Sequence, residues 1–255
     1  MAKDPCNQTV INNAFYEDLK EGWYTADDHP IALLRAENAL RAPWVGQLIQ
    51  ERFSKLNRAI TILDVGCGAG FLSNYLAQEK HQVTGIDLSQ SSLDVAKKFD
   101  STSSVKYLHG NAYQLPCDDA CFDVVCAMDI LEHVEHPANL IQEASRVLKP
   151  GGMFFFHTFN RTWLSRMIVI KGVDWLVPNA PKDMHVYDLF ITPEELKALC
   201  HKQHLQVELL RGFMPDICAK AFWSSLFMRK VSPDLRFKFV NSLFAGYCGF
   251  AIKDI

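Results

Sequence analysis

Apolar residues in the first two thirds of the chain alternate between short continuous runs and longer stretches with helical spacing. The short runs, rich in β-branched and aromatic residues, lie at residues 60–65, 83–86, 105–108, 122–127 and 153–160. Continuous runs of this length indicate strands covered on both faces. Between them, apolar residues recur every three or four positions, as in amphipathic helices. This order predicts an α/β fold built on a doubly wound, mostly parallel sheet.

Two further strand-like runs, at 205–210 and near 244–252, bring the predicted sheet to seven strands. A helical arm precedes the first strand, and Pro43 is expected to break or bend its longer helix. We expect a single domain without a linker. Its predicted parts are an N-terminal helical arm (1–54), a cofactor-binding core (55–160), an apolar insert or lid (161–190) and a C-terminal part of the sheet with a second apolar insert (191–255).

The segment 161–177 differs from the alternating strands and amphipathic helices because it is apolar on most faces. Its only charged residues after Arg161 are Arg166, Lys171 and Asp174. It is too short and interrupted to span a bilayer. Two interpretations stay open: a lid that lines a cavity for an apolar substrate, or a segment that lies in a membrane interface. A second apolar run follows at 218–228.

The net charge, the cysteines and the N-terminal residues indicate which classes of protein this sequence does not resemble. The 255 residues carry a formal net charge of −3, so we expect no nucleic-acid partner. The eight cysteines form no CxxC pair, and the N-terminus lacks the apolar core of a signal peptide. Reduced thiols and a cytoplasmic location are therefore expected, with peripheral contact to the inner face of a membrane if the insert is interfacial. Protein partners are not predicted.

The junction between the first strand and the following helix carries the clearest chemical signal. Gly66, Gly68 and Gly70 form a turn where positive φ and close approach of a ligand are allowed. The helix that follows presents unpaired N–H groups to this turn. The next strand ends at Asp87, whose carboxylate can accept hydrogen bonds from both hydroxyls of a ribose. The pattern predicts a nucleoside site.

The turn reads G-x-G-x-G and follows Asp64, whereas dinucleotide folds usually show G-x-G-x-x-G. It resembles motif I of class I methyltransferases, which implies the seven-stranded sheet of that class and S-adenosylmethionine as cofactor. Asn111 stands where many such enzymes have Asp beside the adenine. The residues that this resemblance assigns to the cofactor are Asp64, Gly66, Gly68, Gly70, Asp87, Leu88, Asn111, Ala112 and Met128.

Two arginines of the arm have two possible roles. The arm precedes the first strand and is available to close over the pocket mouth. Arg35 and Arg41 are then placed to bind the methionine carboxylate of the cofactor, since a guanidinium group matches a carboxylate in a fork. The alternative is that both are ordinary solvated helix charges.

Three blocks later in the chain are more specific than the glycine turn. MDILEHVEHP (128–137), RVLKPGGMFFFHTFNR (146–161) and PKDMHVYDLFITPEEL (181–196) resemble the ubiquinone-biosynthesis O-methyltransferase family, over residues 55–215. The resemblance implies methylation of a hydroxyl on a small hydrophobic phenol or catechol, such as a polyprenylated ubiquinone precursor, with S-adenosylhomocysteine as product. Alternatives are C-methylation of a quinol, O-methylation of another phenolic metabolite, and a cofactor-binding protein without catalysis.

The same resemblance implies a divalent metal at an acidic-x-x-Glu-His pattern after the fourth strand. The matching residues are Asp129, Glu132 and His133, and Asp stands where Glu is usual. Such a set suits Mg²⁺; otherwise Glu132 caps a helix and His133 packs. O-methylation also needs the phenol, with a pKa of about 10, to lose its proton. His133 is the first predicted general base and His185 the second.

Overall fold

The computed structural model describes residues 13, 15–177 and 186–255, with the side chains of 174 and 175 left aside. The β-strands are β1 (Thr61–Val65), β2 (Gln82–Asp87), β3 (Lys106–His109), β4 (Phe122–Ala127), β5 (Leu148–Phe159), β6 (Leu205–Pro215), β7 (Phe237–Val240) and β8 (Gly246–Lys253). The α-helices are α1 (Phe15–Leu19), α2 (Gly22–Thr25), α3 (Ile31–Phe53), α4 (Phe71–Gln78), α5 (Gln90–Phe99), α6 (Pro137–Val147), α7 (Trp163–Ser165), α8 (Val173–Leu176), α9 (Pro193–Lys202) and α10 (Lys220–Met228).

The described strands form one sheet in the order β3-β2-β1-β4-β5-β8-β6-β7. The first five strands pair in parallel, which confirms the doubly wound α/β prediction. Strand β8 runs antiparallel between β5 and β6. The predicted count of seven strands is wrong by one. The additional strand, β7, is four residues long and half-buried at the sheet edge, so it lacks the continuous apolar run that reveals a central strand.

Helices cover both faces of the parallel strands, as alternate residues of the strands indicate. Ile62, Val124 and Phe155 face a core layer beneath α3 and α4. Their neighbours Leu63 and Val125 face the layer beneath α6 and α9. Because both faces are buried, the strands read as continuous apolar runs in the sequence.

Pro43 was expected to break or bend the longer helix of the arm, and the break does not occur. Helix α3 continues without interruption from Ile31 to Phe53 with Pro43 inside it. A proline ring clashes with the carbonyl four residues earlier and removes one hydrogen bond. Burial of Ala42, Val45 and Ile49 against the sheet holds the helix on both sides of that defect, so tertiary packing overrides the local preference.

The two apolar inserts are helical. A π-helix (Arg166–Gly172) joins α7 to α8, and α10 forms the second insert. Both expose large apolar side chains, with Trp163 74% and Phe227 91% exposed. Among the residues that the structure describes, no helix is both long and apolar enough to cross a membrane.

Candidate active site

The glycine turn after β1 is held by backbone hydrogen bonds to β2. The Gly66 amide donates to the Ile86 carbonyl at 2.8 Å. The Gly68 amide donates to Asp87 Oδ2, also at 2.8 Å. A Cβ atom on Gly66 would lie 2.5 Å from Ile130 Cδ1, and one on Gly68 would lie 2.8 Å from the ring of Trp23. The turn therefore needs glycine both for its positive φ and for space.

Two carboxyl groups flank this turn. Asp87 Oδ1 accepts the Ser89 amide at 2.8 Å, so its carboxylate is fixed at the tip of β2. Asp64 accepts the Ser73 hydroxyl at 2.6 Å. Burial raises the pKa of Asp64 to about 7, which means that a nearby positive charge would favour its ionised form.

A cavity of about 590 Å³ opens at the carboxyl ends of the parallel strands, where open α/β sheets bind ligands. Most of the predicted cofactor residues line it: Asp64, Gly66, Gly68, Asp87, Leu88, Asn111, Ala112 and Met128. Gly70 does not. It lies behind the turn, where a Cβ atom would collide with the Tyr107 hydroxyl. We call this space the cofactor cavity.

The two predicted arginines lie outside the lining of this cavity. Arg35 donates to the Trp23 carbonyl at 2.8 Å and also to the Ala26 carbonyl. Arg41 is buried and donates to both carboxylate oxygens of Asp129, at 2.7 and 2.6 Å. Both guanidinium groups therefore bind other parts of the protein, and a bond from either to the cofactor remains a prediction.

Asp129, just beyond the end of β4, has a left-handed backbone with φ of 61°. A non-glycine residue in this region signals local strain that its surroundings must maintain. Arg41 supplies part of that support, and the Nδ1 atom of buried His157 contacts Oδ1 of the same carboxylate. Burial alone would raise the pKa of Asp129, yet Arg41 and His157 hold it well below its ordinary range. Asp129 is therefore an ionised, immobilised carboxylate.

The predicted metal set is not the one that the fold brings together. Asp129 and Glu132 cluster with His157, and their donor atoms lie within 4.8 Å of one another, whereas His133 is not part of this cluster. Both oxygens of Asp129 already accept from Arg41, so a divalent cation bound there would face a guanidinium group across one carboxylate. Mg²⁺ also prefers oxygen ligands, and only Glu132 remains free to give them. The donor set does not fit Mg²⁺.

The short 3₁₀ turn Leu131–His133 places two proton-accepting side chains beside Asp129. Glu132 is 1% exposed, and its Oε2 atom has no hydrogen-bond partner within residues 13, 15–177 and 186–255. Burial and the nearby Asp129 raise the pKa of Glu132 well above its ordinary value. His133 lies within 3.3 Å of the Asn13 amide oxygen, and burial lowers its pKa to about 4. The other predicted base, His185, lies outside the described residues.

A second cavity, of about 490 Å³, adjoins the first. Its wall is mostly apolar and comes from the arm, both inserts and the C-terminal strands; we call it the apolar cavity. Tyr16, Leu34, Asp129 and His133 line both cavities. These four residues form the shared wall.

The sequence interpretation did not find Tyr16 or His157. Tyr16 directly follows Phe15 in a helix of five residues, and nothing in its spacing distinguishes it. His157 carries a usable signal, since it interrupts the continuous apolar run of β5. A fully buried histidine needs a partner, and Asp129 is that partner.

Comparison with known proteins identifies the family. A methyltransferase domain model matches residues 63–156, which include the glycine turn and the Asp129 turn. A ubiquinone biosynthesis O-methyltransferase from Actinobacillus pleuropneumoniae serotype 7 is 34% identical over 226 residues, covering 85% of this chain and 92% of that protein. The chain belongs to the ubiquinone biosynthesis O-methyltransferase family. Its relative from Bordetella bronchiseptica is 37% identical over 185 residues, 70% of this chain and 73% of that protein.

Solved structures agree on the fold. Magnesium protoporphyrin IX methyltransferase from Synechocystis, solved with bound S-adenosylhomocysteine, superimposes with a TM-score of 0.57 at 15% identity, covering 84% of this chain and 83% of that one. The protein is an S-adenosylmethionine-dependent O-methyltransferase. The fixed carboxylate of Asp87 and the cavity that Gly66 and Gly68 line both fit a nucleoside cofactor.

Proposed function

We propose that the methyl acceptor is a hydroxyl of a phenol or catechol ring that carries an apolar tail, such as a polyprenylated ubiquinone precursor. The observation that carries this proposal is the apolar cavity, which adjoins the cofactor cavity through the shared wall. An apolar chain gains about 0.8 kcal/mol for each CH₂ group buried in such a space. The names of the curated relatives agree with this acceptor class.

The polar side chains of the apolar cavity are grouped near the shared wall. Glu37, Asp129, Glu132 and His133 line the same cavity as the apolar residues of the inserts. A hydroxylated ring would therefore bind with its hydroxyl near the cofactor and its tail toward the inserts. This arrangement supplies the alignment that methyl transfer requires.

The reaction forms an O–CH₃ bond as the S–CH₃ bond of the sulfonium breaks, and the hydroxyl proton must leave. We assign that proton to Glu132, which lines the apolar cavity. Its Oε2 atom has no hydrogen-bond partner among the described residues, and its raised pKa suits a base working near neutral pH. His133, the first base that the sequence predicts, also lies on the shared wall. Its pKa of about 4 makes it a neutral hydrogen-bond partner for the acceptor and a weaker base than Glu132. Cofactor-binding roles for the predicted cavity residues belong to the same proposal.

The inserts are proposed to contact a lipid surface. Met167 and Ile168 line the apolar cavity and are 54% and 45% exposed, and the nearby α10 exposes Trp223 and Met228 at 59% and 68%. Apolar side chains next to a cavity for a lipid-like acceptor suit a segment that lies in a membrane interface. Sedimentation with vesicles of phosphatidylglycerol and phosphatidylethanolamine tests this contact. It should fall when Trp223 and Met228 are both changed to Ser.

The acceptor proposal is tested by methyl transfer from labelled S-adenosylmethionine to three acceptors: a prenylated catechol, the same catechol without its tail, and a prenylated ring whose hydroxyls are blocked. We expect turnover with the first, a much higher KM with the second and none with the third. Product on carbon would indicate C-methylation of a quinol. Equal kcat/KM with and without the tail would favour another phenolic metabolite, and cofactor binding without any turnover would favour a non-catalytic protein.

A further inference from the structure

A buried hydrogen-bond donor in the cofactor cavity has no partner among the residues that the structure describes. Trp23 lines this cavity and is only 4% exposed, with its indole ring in a cluster with Ile31 and Ala69. Its Nε1 atom makes no hydrogen bond to any part of the chain described here. An unsatisfied buried donor costs about 1–3 kcal/mol, and native proteins rarely leave one without a partner. This donor therefore indicates a ligand group beside the indole.

The Trp23 ring lies directly over the glycine turn. A Cβ atom on Gly68 would approach the Trp23 Cη2 atom to 2.8 Å. The ring stacks on Tyr16 with centroids 5.3 Å apart and meets Phe71 edge-on at 5.8 Å. Contacts on several sides fix the direction of the indole N–H.

The short helix α2 that carries Trp23 is attached to the same turn. The neighbouring Tyr24 hydroxyl donates to the Ala69 carbonyl at 3.0 Å and accepts from the Asn74 amide at 3.3 Å. Arg35 donates to the Trp23 carbonyl at 2.8 Å. The indole is thus held in place before a ligand binds, so little side-chain conformational entropy is lost on binding.

The charges around the cavity indicate which ligand group needs this donor. S-adenosylmethionine carries a carboxylate, yet among the described residues that line the cofactor cavity there is no Lys or Arg. The charged side chains there are acidic and include Glu17, Asp64, Asp87 and Glu135. A carboxylate in this cavity depends on neutral N–H donors, and the unpartnered, fixed indole of Trp23 is one of them.

We propose that the Trp23 indole N–H donates a hydrogen bond to the carboxylate of the cofactor's amino-acid arm. This assignment depends on the cofactor and not on the identity of the methyl acceptor. It places the arm's aromatic cluster in contact with the cofactor. Arg35 supports this position through its hydrogen bond to the Trp23 carbonyl.

The first test compares two ligands by calorimetry in Trp23→Phe, which keeps an aromatic ring and removes the N–H. S-adenosylhomocysteine has the carboxylate, whereas 5′-methylthioadenosine keeps the adenosine and sulfur but lacks the amino-acid arm. We expect the affinity for S-adenosylhomocysteine to fall about 10-fold or more and the affinity for 5′-methylthioadenosine to stay within about twofold. Trp163→Phe, at a residue that is 74% exposed, is the matched control and should change neither affinity.

A second measurement uses the unaltered protein, so it does not depend on the stability of the variant. The chain has five tryptophans, and their indole ¹⁵N–¹H signals can be assigned from single Trp→Phe variants. S-adenosylhomocysteine should move the Trp23 signal strongly downfield, whereas 5′-methylthioadenosine should not. A Trp23 signal that responds equally to both ligands, or Trp23→Phe with native affinity for S-adenosylhomocysteine, would overturn the proposal. An equal loss of affinity for both ligands would reduce Trp23 to a packing role and overturn it as well.

Discussion

The two cavities share four residues but are built in different ways. The cofactor cavity lies at the ends of parallel strands, with its walls supplied by the glycine turn, the tip of β2 and the turn after β4. The apolar cavity is assembled from the arm, the inserts and the antiparallel strands of the C-terminal part. The first has fixed polar groups at defined positions, and the second has an apolar wall of adaptable shape. A substitution in the cofactor cavity should therefore change the affinity for the cofactor. A substitution in the apolar cavity should change the binding or turnover of the methyl acceptor.

Glu132→Gln gives the sharpest test of this division. The amide keeps the size of the side chain and removes its capacity to accept a proton, so we expect kcat to fall about 10²- to 10⁴-fold. Because Glu132 lines the apolar cavity and not the cofactor cavity, the affinity for S-adenosylhomocysteine should stay unchanged. Steady-state kinetics and calorimetry measure the two effects. His133→Gln is the neighbouring control with a smaller expected loss, and an equal loss in both variants would contradict the assignment of the base.

The pH dependence of kcat should reflect the titration of Glu132. Burial and Asp129 raise the pKa of Glu132, so its carboxyl group is mostly protonated below that raised value. The basic form grows as the pH increases, and kcat should rise with pH and level off above the pKa. The rising limb should disappear in Glu132→Gln. A limb near pH 4 would instead report His133, whose pKa is lowered to about that value.

Asp87→Ala should affect the other cavity. It removes a carboxylate that the Gly68 and Ser89 amides hold in place and that is predicted to accept two ribose hydroxyls. Hydrogen bonds to a charged group contribute about 1.5–3 kcal/mol each, so we expect the affinity for S-adenosylhomocysteine to fall about 100-fold. The KM of a prenylated acceptor at saturating cofactor should stay near its native value. Calorimetry with unchanged affinity would remove Asp87 from the cofactor site.

The contrast between the cavities also explains what the sequence could predict. The glycine turn and Asp87 were found because their chemistry depends on local order: a strand ends, a turn follows and a carboxylate caps the next strand. The bond between Arg41 and Asp129 joins residues 88 positions apart, and only the folded arm brings them together. A shorter separation in sequence likewise concealed the contact between His157 and Asp129.

The elements of the fold show the same contrast between local sequence signals and long-range packing. Strands β1, β4 and β5 were readable because burial on both faces leaves continuous apolar runs. The edge strand β7 has four half-buried residues, and so short a segment gives little signal. The continuity of α3 through Pro43 depends on burial of Val45 and Ile49, which local preferences do not record.

Val169→Asn tests whether the apolar cavity holds the tail of the acceptor. Val169 is 6% exposed on the π-helix and lines only the apolar cavity. A polar amide there should raise the KM of a prenylated catechol several-fold, because burying an amide without a partner costs about 1–3 kcal/mol. The KM of the catechol without a tail should not change. Val95→Asn is the control, since Val95 is similarly buried but lines neither cavity. A loss of activity that both variants share would reflect lower protein stability.

Removal of metal ions is expected to have the smallest effect. The shared wall contains Asp129, whose two oxygens accept hydrogen bonds from Arg41. A divalent cation would have to displace this buried guanidinium group or share one carboxylate with it, and both arrangements place two positive centres in a medium of low polarity. Turnover with excess EDTA, after dialysis, should therefore equal the untreated rate within error. Loss of turnover that Mg²⁺ restores would show that Arg41 leaves Asp129 in the working enzyme. Arg41→Lys, which keeps one charge but cannot bind both oxygens in a fork, would then tighten Mg²⁺ binding.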